Sequence, residues 1–203
     1  MALALGTLSL AFLLAHLRLR AFHARPLRVY GTIGDFNLTN QSGQPVSLAN
    51  LRGHVWVADI IFTRCAGPCL KMSRQMKELQ DALPSNSTIK LVSLTTDPRY
   101  DVPSVLNDYA QRFGADSNRW MLLTGSPEQI GNLATGSLKL TGIEKKPEER
   151  DSSADLFVHS TIFVIVDKHA QLRGIFETTG EDIDPRKVKD QILAAVRRLE
   201  HEP

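Results

Sequence analysis

Two cysteines stand in FTRCAGPCLKMS, residues 62–73, as Cys65 and Cys69; three residues separate them, and the 203-residue chain has no others. A pair this close can be a structural staple, a reversible disulfide or two corners of a metal site. The staple is the weakest of these, because the chain entropy removed by a cross-link grows with loop length. Residues four apart on a helical turn share a face, so both sulfurs can aim at one point. A helix N-terminus favours thiolate over thiol, and Arg64 and Lys71 are expected to add to that preference.

Two thiolates alone are too few to hold a metal against solvent, so a third ligand is sought among the six histidines. His16 and His23 fall in the N-terminal region and His201 in the tail. His54 opens an apolar run at the end away from the cysteines, and His169 follows a strand among charged residues. His159 interrupts an otherwise apolar run, LFVHSTIFVIV. On pattern alone it is either a hydrogen-bonded strand histidine or the third ligand.

The elements that must position these residues follow from periodicity. HVWVADIIF, residues 54–62, is a nearly continuous apolar run that fits a buried central strand, and the cysteine loop follows it at once. Met72, Met76, Leu79 and Leu83 then recur at helical spacing until Pro84. Residues 89–95 read as a second buried strand, 102–113 as a helix closed by Gly114, and 120–123 as a short strand. Pro127 to Ala134 is a helix start, and Glu144 to Ala154 a charged, mobile surface loop. Phe157 to Val166 is expected as one strand that forms a hairpin with Gln171–Glu177, and Asp184 to Leu199 as the last helix. Strands alternating with helices predict an α/β fold, a thioredoxin-like central mixed sheet flanked by helices. Ligand chemistry in open α/β sheets sits at the carboxyl ends of strands, where the cysteines fall.

Apolar residues make up 42% and charged residues 23% of the chain, an ordinary balance for a soluble fold. A net charge of +2 with mixed signs, and no basic strip interleaved with aromatics, argue against nucleic-acid binding. Residues 1–20 differ: Ala2 to Leu17 carry no charge, which fits an uncleaved membrane anchor or a signal segment. Residues 21–30 form a basic linker and residues 31–203 the folded domain. Arg18, Arg20, Arg25 and Arg28 follow the apolar run, and by the positive-inside rule they would hold that flank in the cytoplasm.

The ordered set of CxxxC at a strand-to-helix junction, TTDP at residues 95–98, HST at 159–161 and VD-x-x-x-x-x-RG at 166–174 resembles the Sco/SenC family of copper chaperones. The likeness runs from about Gly31 to Leu199. It implies a thioredoxin-like fold, a membrane-anchored domain on the outer (periplasmic or equivalent) face, and help in assembling the copper A centre of cytochrome c oxidase. It also implies Cys65, Cys69 and His159 as metal ligands, Cu(I) or Cu(II) as the ion, and an oxidase subunit or another apo-cuproprotein as partner. Asp97 of TTDP corresponds to an aspartate that orients the site or carries charge there, and is otherwise a turn residue before Pro98. Many relatives have proline after the second cysteine; this chain has Leu70, and its GPC tripeptide resembles the thioredoxin motif with one residue inserted. A thiol–disulfide oxidoreductase, with Cys65 attacking and Cys69 resolving, is the alternative, as is a redox or copper sensor. A peroxiredoxin pattern set on Cys65 would need proline and threonine where Ala58 and Phe62 stand.

Overall fold

The structure is a computed structural model that describes residues 26–151 and 156–202. The N-terminal segment expected to be an anchor lies outside these residues; among the described ones, no helix is long and apolar enough to cross a membrane.

Eight strands form one mixed sheet in the order β1-β10-β9-β4-β5-β6-β2-β3. The strands are β1 (Gly31–Thr32), β2 (Asn37–Asn40), β3 (Pro45–Ser47), β4 (Trp56–Ile61), β5 (Lys90–Thr95), β6 (Trp120–Thr124), β9 (Ile162–Val166) and β10 (Gln171–Glu177). β4, β5 and β6 run parallel, whereas β9 pairs antiparallel with β4 and β10. All six residues of β4 are buried, which is why its sequence lacks apolar–polar alternation.

Strand alternation sorts the core into two layers. Val57 and Ile61 face a layer with Met72, Met76 and Leu79 of α2 (Pro68–Ala82), Leu106 and Tyr109 of α3 (Pro103–Phe113), and Ile192 and Val196 of α5 (Pro185–His201). Trp56, Ala58 and Ile60 face the other layer, with Leu48 and Leu51 of α1 (Leu48–Leu51), Ile130 of α4 (Pro127–Gly131), and Leu133 and Leu138. The helix ends have local causes. Gly114 closes α3 at φ 66°, a left-handed conformation that costs glycine least. The Asp184 side chain accepts the Arg186 amide at the start of α5.

Three expectations change. The run from 157 to 166 is two strands: β8 (Phe157–His159) pairs with β7 (Gly142–Glu144) in a separate two-stranded sheet, and only β9 joins the main one. Ser160 and Thr161 make the break. The Ser160 amide donates to Thr141 O (2.9 Å) and its hydroxyl accepts the Thr141 amide (3.0 Å), while Thr161 O accepts the Thr178 amide (2.9 Å). The chain thus changes sheets between two adjacent residues. The helix begun at Pro127 gives way after Gly131 to a π-helical stretch, Asn132–Leu138, ended by Lys139 at φ 60°. In the segment read as a mobile loop, Glu144 belongs to β7, Pro147–Glu149 form a 3-10 turn, and Arg150 donates to Lys145 O at 2.9 and 3.1 Å. The ribbon also sits tightly on the main sheet, since a Cβ added at Gly142 would lie 2.4 Å from Thr96 Cγ2.

Candidate metal centre

β4 delivers the chain to the cysteine loop. Asp101, fully buried just ahead of α3, anchors that loop: its carboxylate accepts the Thr63 amide (3.1 Å) and the hydroxyls of Thr63 and Thr95. Burial pushes the Asp101 carboxyl up, and the two threonines only partly offset this. Replacing Asp101 by alanine strands those donors and should cost about 3 kcal/mol of stability, read by thermal or urea unfolding. A variant as stable as the parent would show that Asp101 does not hold the loop.

Pro68 opens α2 at a position whose N–H would have no partner, and Cys69 follows in the first turn. Cys65 lies in the turn before the helix, its amide donating to Phe62 O at 3.2 Å. The sulfurs converge as expected, although only Cys69 is helical. Both thiols are free; Cys65 is 7% exposed and Cys69 0%.

His159 reaches them from β8. Its Nε2 lies 3.1 Å from Cys69 Sγ, and the ligand atoms of Cys65, Cys69 and His159 are all within 4.8 Å of one another. His159 Nδ1 is 3.2 Å from the Ser160 carbonyl, which can only accept; Nδ1 therefore carries a proton, and Nε2 is the ring atom turned to the sulfurs. Phe62 meets the imidazole edge-on at 5.8 Å and packs against Phe157 at 5.1 Å, tying the small sheet to the large one. Among the described residues, no fourth Asp, Glu, Cys or His joins the cluster.

The two thiols share a proton unequally. The Cys69 thiol donates to Cys65 and pulls it down to about 4, with help from His159 and the amides of Cys69 and Gly67, while burial opposes. Cys69 is pushed up by the same hydrogen bond, by burial and by the adjacent thiolate charge. Burial lowers His159, but the Cys65 thiolate and the Ser160 carbonyl outweigh it and leave the imidazole raised. Neither Arg64 nor Lys71 is among these causes, contrary to expectation. The Arg64 guanidinium turns to Asp97 and stacks 4.2 Å over the Tyr100 ring.

Asp97 is thus kept out of the three-residue cluster. It is buried, binds Arg64, and its amide donates to the Thr95 hydroxyl oxygen at 2.9 Å, so it reaches the cysteines only through the residue before Cys65. His54 lies at the opposite end of β4 against Thr88 O, as its place in the sequence implied. Asp59 went unremarked in the sequence. It faces the cysteine layer from the middle of β4, fully buried, and neither carboxylate oxygen makes a hydrogen bond of ordinary geometry. Burial raises it to about 7, with Ser93, its register partner on β5, and His159 offsetting part of the rise. A lone carboxylate inside WVADII was the available signal.

The SCO1/SenC family pattern matches residues 26–197. The chain is 34% identical over 154 residues to the SCO1 protein homolog of Bacillus subtilis (strain 168), covering 73% of this chain and 77% of that protein. A solved structure of BsSco, described as a member of the Sco family of cytochrome c oxidase assembly proteins with a disulfide switch, is 30% identical. It aligns at a TM-score of 0.71 over 88% of this chain and all (100%) of that one. Yeast Sco1 with copper bound, 22% identical, shares the fold at a TM-score of 0.67, covering 82% of this chain and 89% of that one. With the match running through nearly the whole described region, the chain belongs to the SCO1/SenC family.

Proposed function

We propose that this protein is a copper metallochaperone that binds one copper ion through Cys65, Cys69 and His159 and delivers it to an apo-cuproprotein. The recipient on this reading is the copper-binding subunit of cytochrome c oxidase, where the ion contributes to the copper A centre. The convergence of two thiols and one imidazole within 4.8 Å carries the reading. Soft thiolates with one imidazole suit copper, and three ligands serve Cu(I). A structural zinc site wants four protein ligands, and the cluster offers three. The copper-bound yeast Sco1 and the oxidase-assembly role ascribed to BsSco support the same ion and the same destination. On this reading residues 1–20 are the membrane anchor and the domain lies on the outer, periplasmic or equivalent, face, a placement that follows the family likeness and runs against the positive-inside reading of Arg18, Arg20, Arg25 and Arg28.

A competition titration of the reduced full chain, with Cu(I) shared against a coloured chelator, tests this. The expected result is one tightly held copper per chain, with a large loss in Cys69→Ser. Copper bound no better by the parent than by that variant would end the metallochaperone reading.

The depressed Cys65 supports a second reading, thiol–disulfide exchange. The Cys65 thiolate would attack a partner disulfide and expel one partner thiolate. Cys69, losing its proton, would then attack Cys65 and expel the other. The partner gains two electrons, and Cys65 and Cys69 end as a disulfide. Absence of exchange with both cysteines reduced would remove this reading.

A further inference from the structure

We propose that the cleft beside the metal centre is a docking site for an acidic side chain of the protein that exchanges metal or thiol electrons with this one. The partner's role rests on the function proposed above; the acceptance of a protein carboxylate rests on the cleft itself.

The cleft measures about 260 Å³ and is lined by three guanidiniums, those of Arg64, Arg99 and Arg150. Its own carboxylates are two, Asp97 and Glu144, so positive charge exceeds negative by one. Asp97 engages Arg64, and Glu144 engages Arg150 at 3.3 Å. Arg99 is exposed, and among the described residues its side chain has neither a hydrogen bond nor an ion pair. A guanidinium presents five donors in a fixed fork that matches a carboxylate. The cleft wall also includes Thr96, whose hydroxyl is shut off from water without a partner. The exposed, uncommitted Arg99 guanidinium is the place for an acceptor to arrive.

The location suits transfer. Arg64 precedes Cys65, and Phe157, another wall residue, stands two positions before His159. A carboxylate seated there lies beside the three ligands without competing for them. Apolar surface lies next to Arg99, where Tyr100 and Val102 are 46% and 42% exposed; Ile143 and Val158 are exposed on the face of the β7–β8 ribbon opposite Glu144 and Phe157. An apolar surround needs a macromolecular surface to cover it, which a free anion does not supply. Charge pairing at such a position guides approach and register more than it adds affinity.

The test is an NMR titration of the reduced, metal-free full chain in micelles of neutral detergent. The probes are a blocked hexapeptide alternating Glu and Leu, the same peptide with Gln for Glu, and inorganic phosphate. The Glu peptide should give saturable shifts at the Thr96, Arg99 and Val158 amides. The Gln peptide, and the Glu peptide with the Arg99→Ser/Arg150→Ser double variant, should bind at least about fivefold more weakly. The double variant should keep the parent's Cu(I) titration. No saturable shift, equal binding of the two peptides, or phosphate binding as tightly as the Glu peptide would overturn the proposal. The peptide comparison uses the parent protein, so it stands even where the double variant does not fold. A failed copper titration would remove the metal reading and leave the peptide result intact.

Discussion

Alanine at position 159 should lower copper affinity at least about a hundredfold, since loss of a residue that merely orients a metal ligand already costs ten- to a hundredfold. The imidazole is the one neutral donor in the cluster, and its Nε2 is aimed by the Nδ1–H bond to Ser160 O. Without it, copper keeps two thiolates on one side and solvent on the other. The metal-free variant should remain folded, because His159 is only half-buried on the small ribbon and its one aromatic contact among the described residues is an edge against Phe62. Parallel titrations of parent and His159→Ala check this. Equal affinities would take His159 out of the site and shift the weight to thiol–disulfide exchange, in which His159 is dispensable.

Asn at position 59 should stabilise the protein by about 2–4 kcal/mol at pH 8 and have little effect at pH 3. The native carboxyl holds its proton up to about 7, whereas an unfolded one releases it near 3.8. Between those values the folded state binds more protons than the unfolded state, so stability falls as pH rises and levels off above about 7. A shift of that size corresponds to roughly 4 kcal/mol as a ceiling. An amide of the same shape removes the ionisation and with it the pH dependence. Thermal unfolding across pH reads the difference, about 2–4 °C per kcal/mol for a chain of this size. A gain or loss that does not change with pH would mean that Asp59 acts through packing alone.

These two residues show how unevenly the site was written in the sequence. The cysteine pair announced itself by rarity and spacing, and β4 by its unbroken apolar run. His159 did not: its neighbours LFVHSTIFVIV fit an ordinary strand histidine, and only the family likeness put it beside residues 90 positions earlier. Asp59 was visible, but an apolar run invites the eye past one carboxylate. The break at Ser160 and Thr161 was not legible, because two short polar residues inside β-branched neighbours look like strand alternation. What makes them a break is a pairing with Thr141 and Thr178, which no local pattern contains. The π-helical stretch failed for a similar reason, since helical periodicity does not separate it from an α-helix over seven residues. Asp97 was visible in TTDP, but its connection to the cysteines runs through Arg64, which engages Asp97 and the Tyr100 ring together.

The division of the ligands between two sheets has a mechanical consequence. Cys65 and Cys69 ride on the large sheet and its helix, whereas His159 rides on a separately paired ribbon that continues into the large sheet through Ser160 and Thr161 and packs on it at Gly142 and Phe157. A bound ion is then a removable cross-link between two bodies, closing a circuit from position 69 to position 159. Part of its binding free energy goes into restricting the ribbon, and the same amount returns when the ion leaves. Whatever pulls on the ribbon therefore sets how tightly the ion is held.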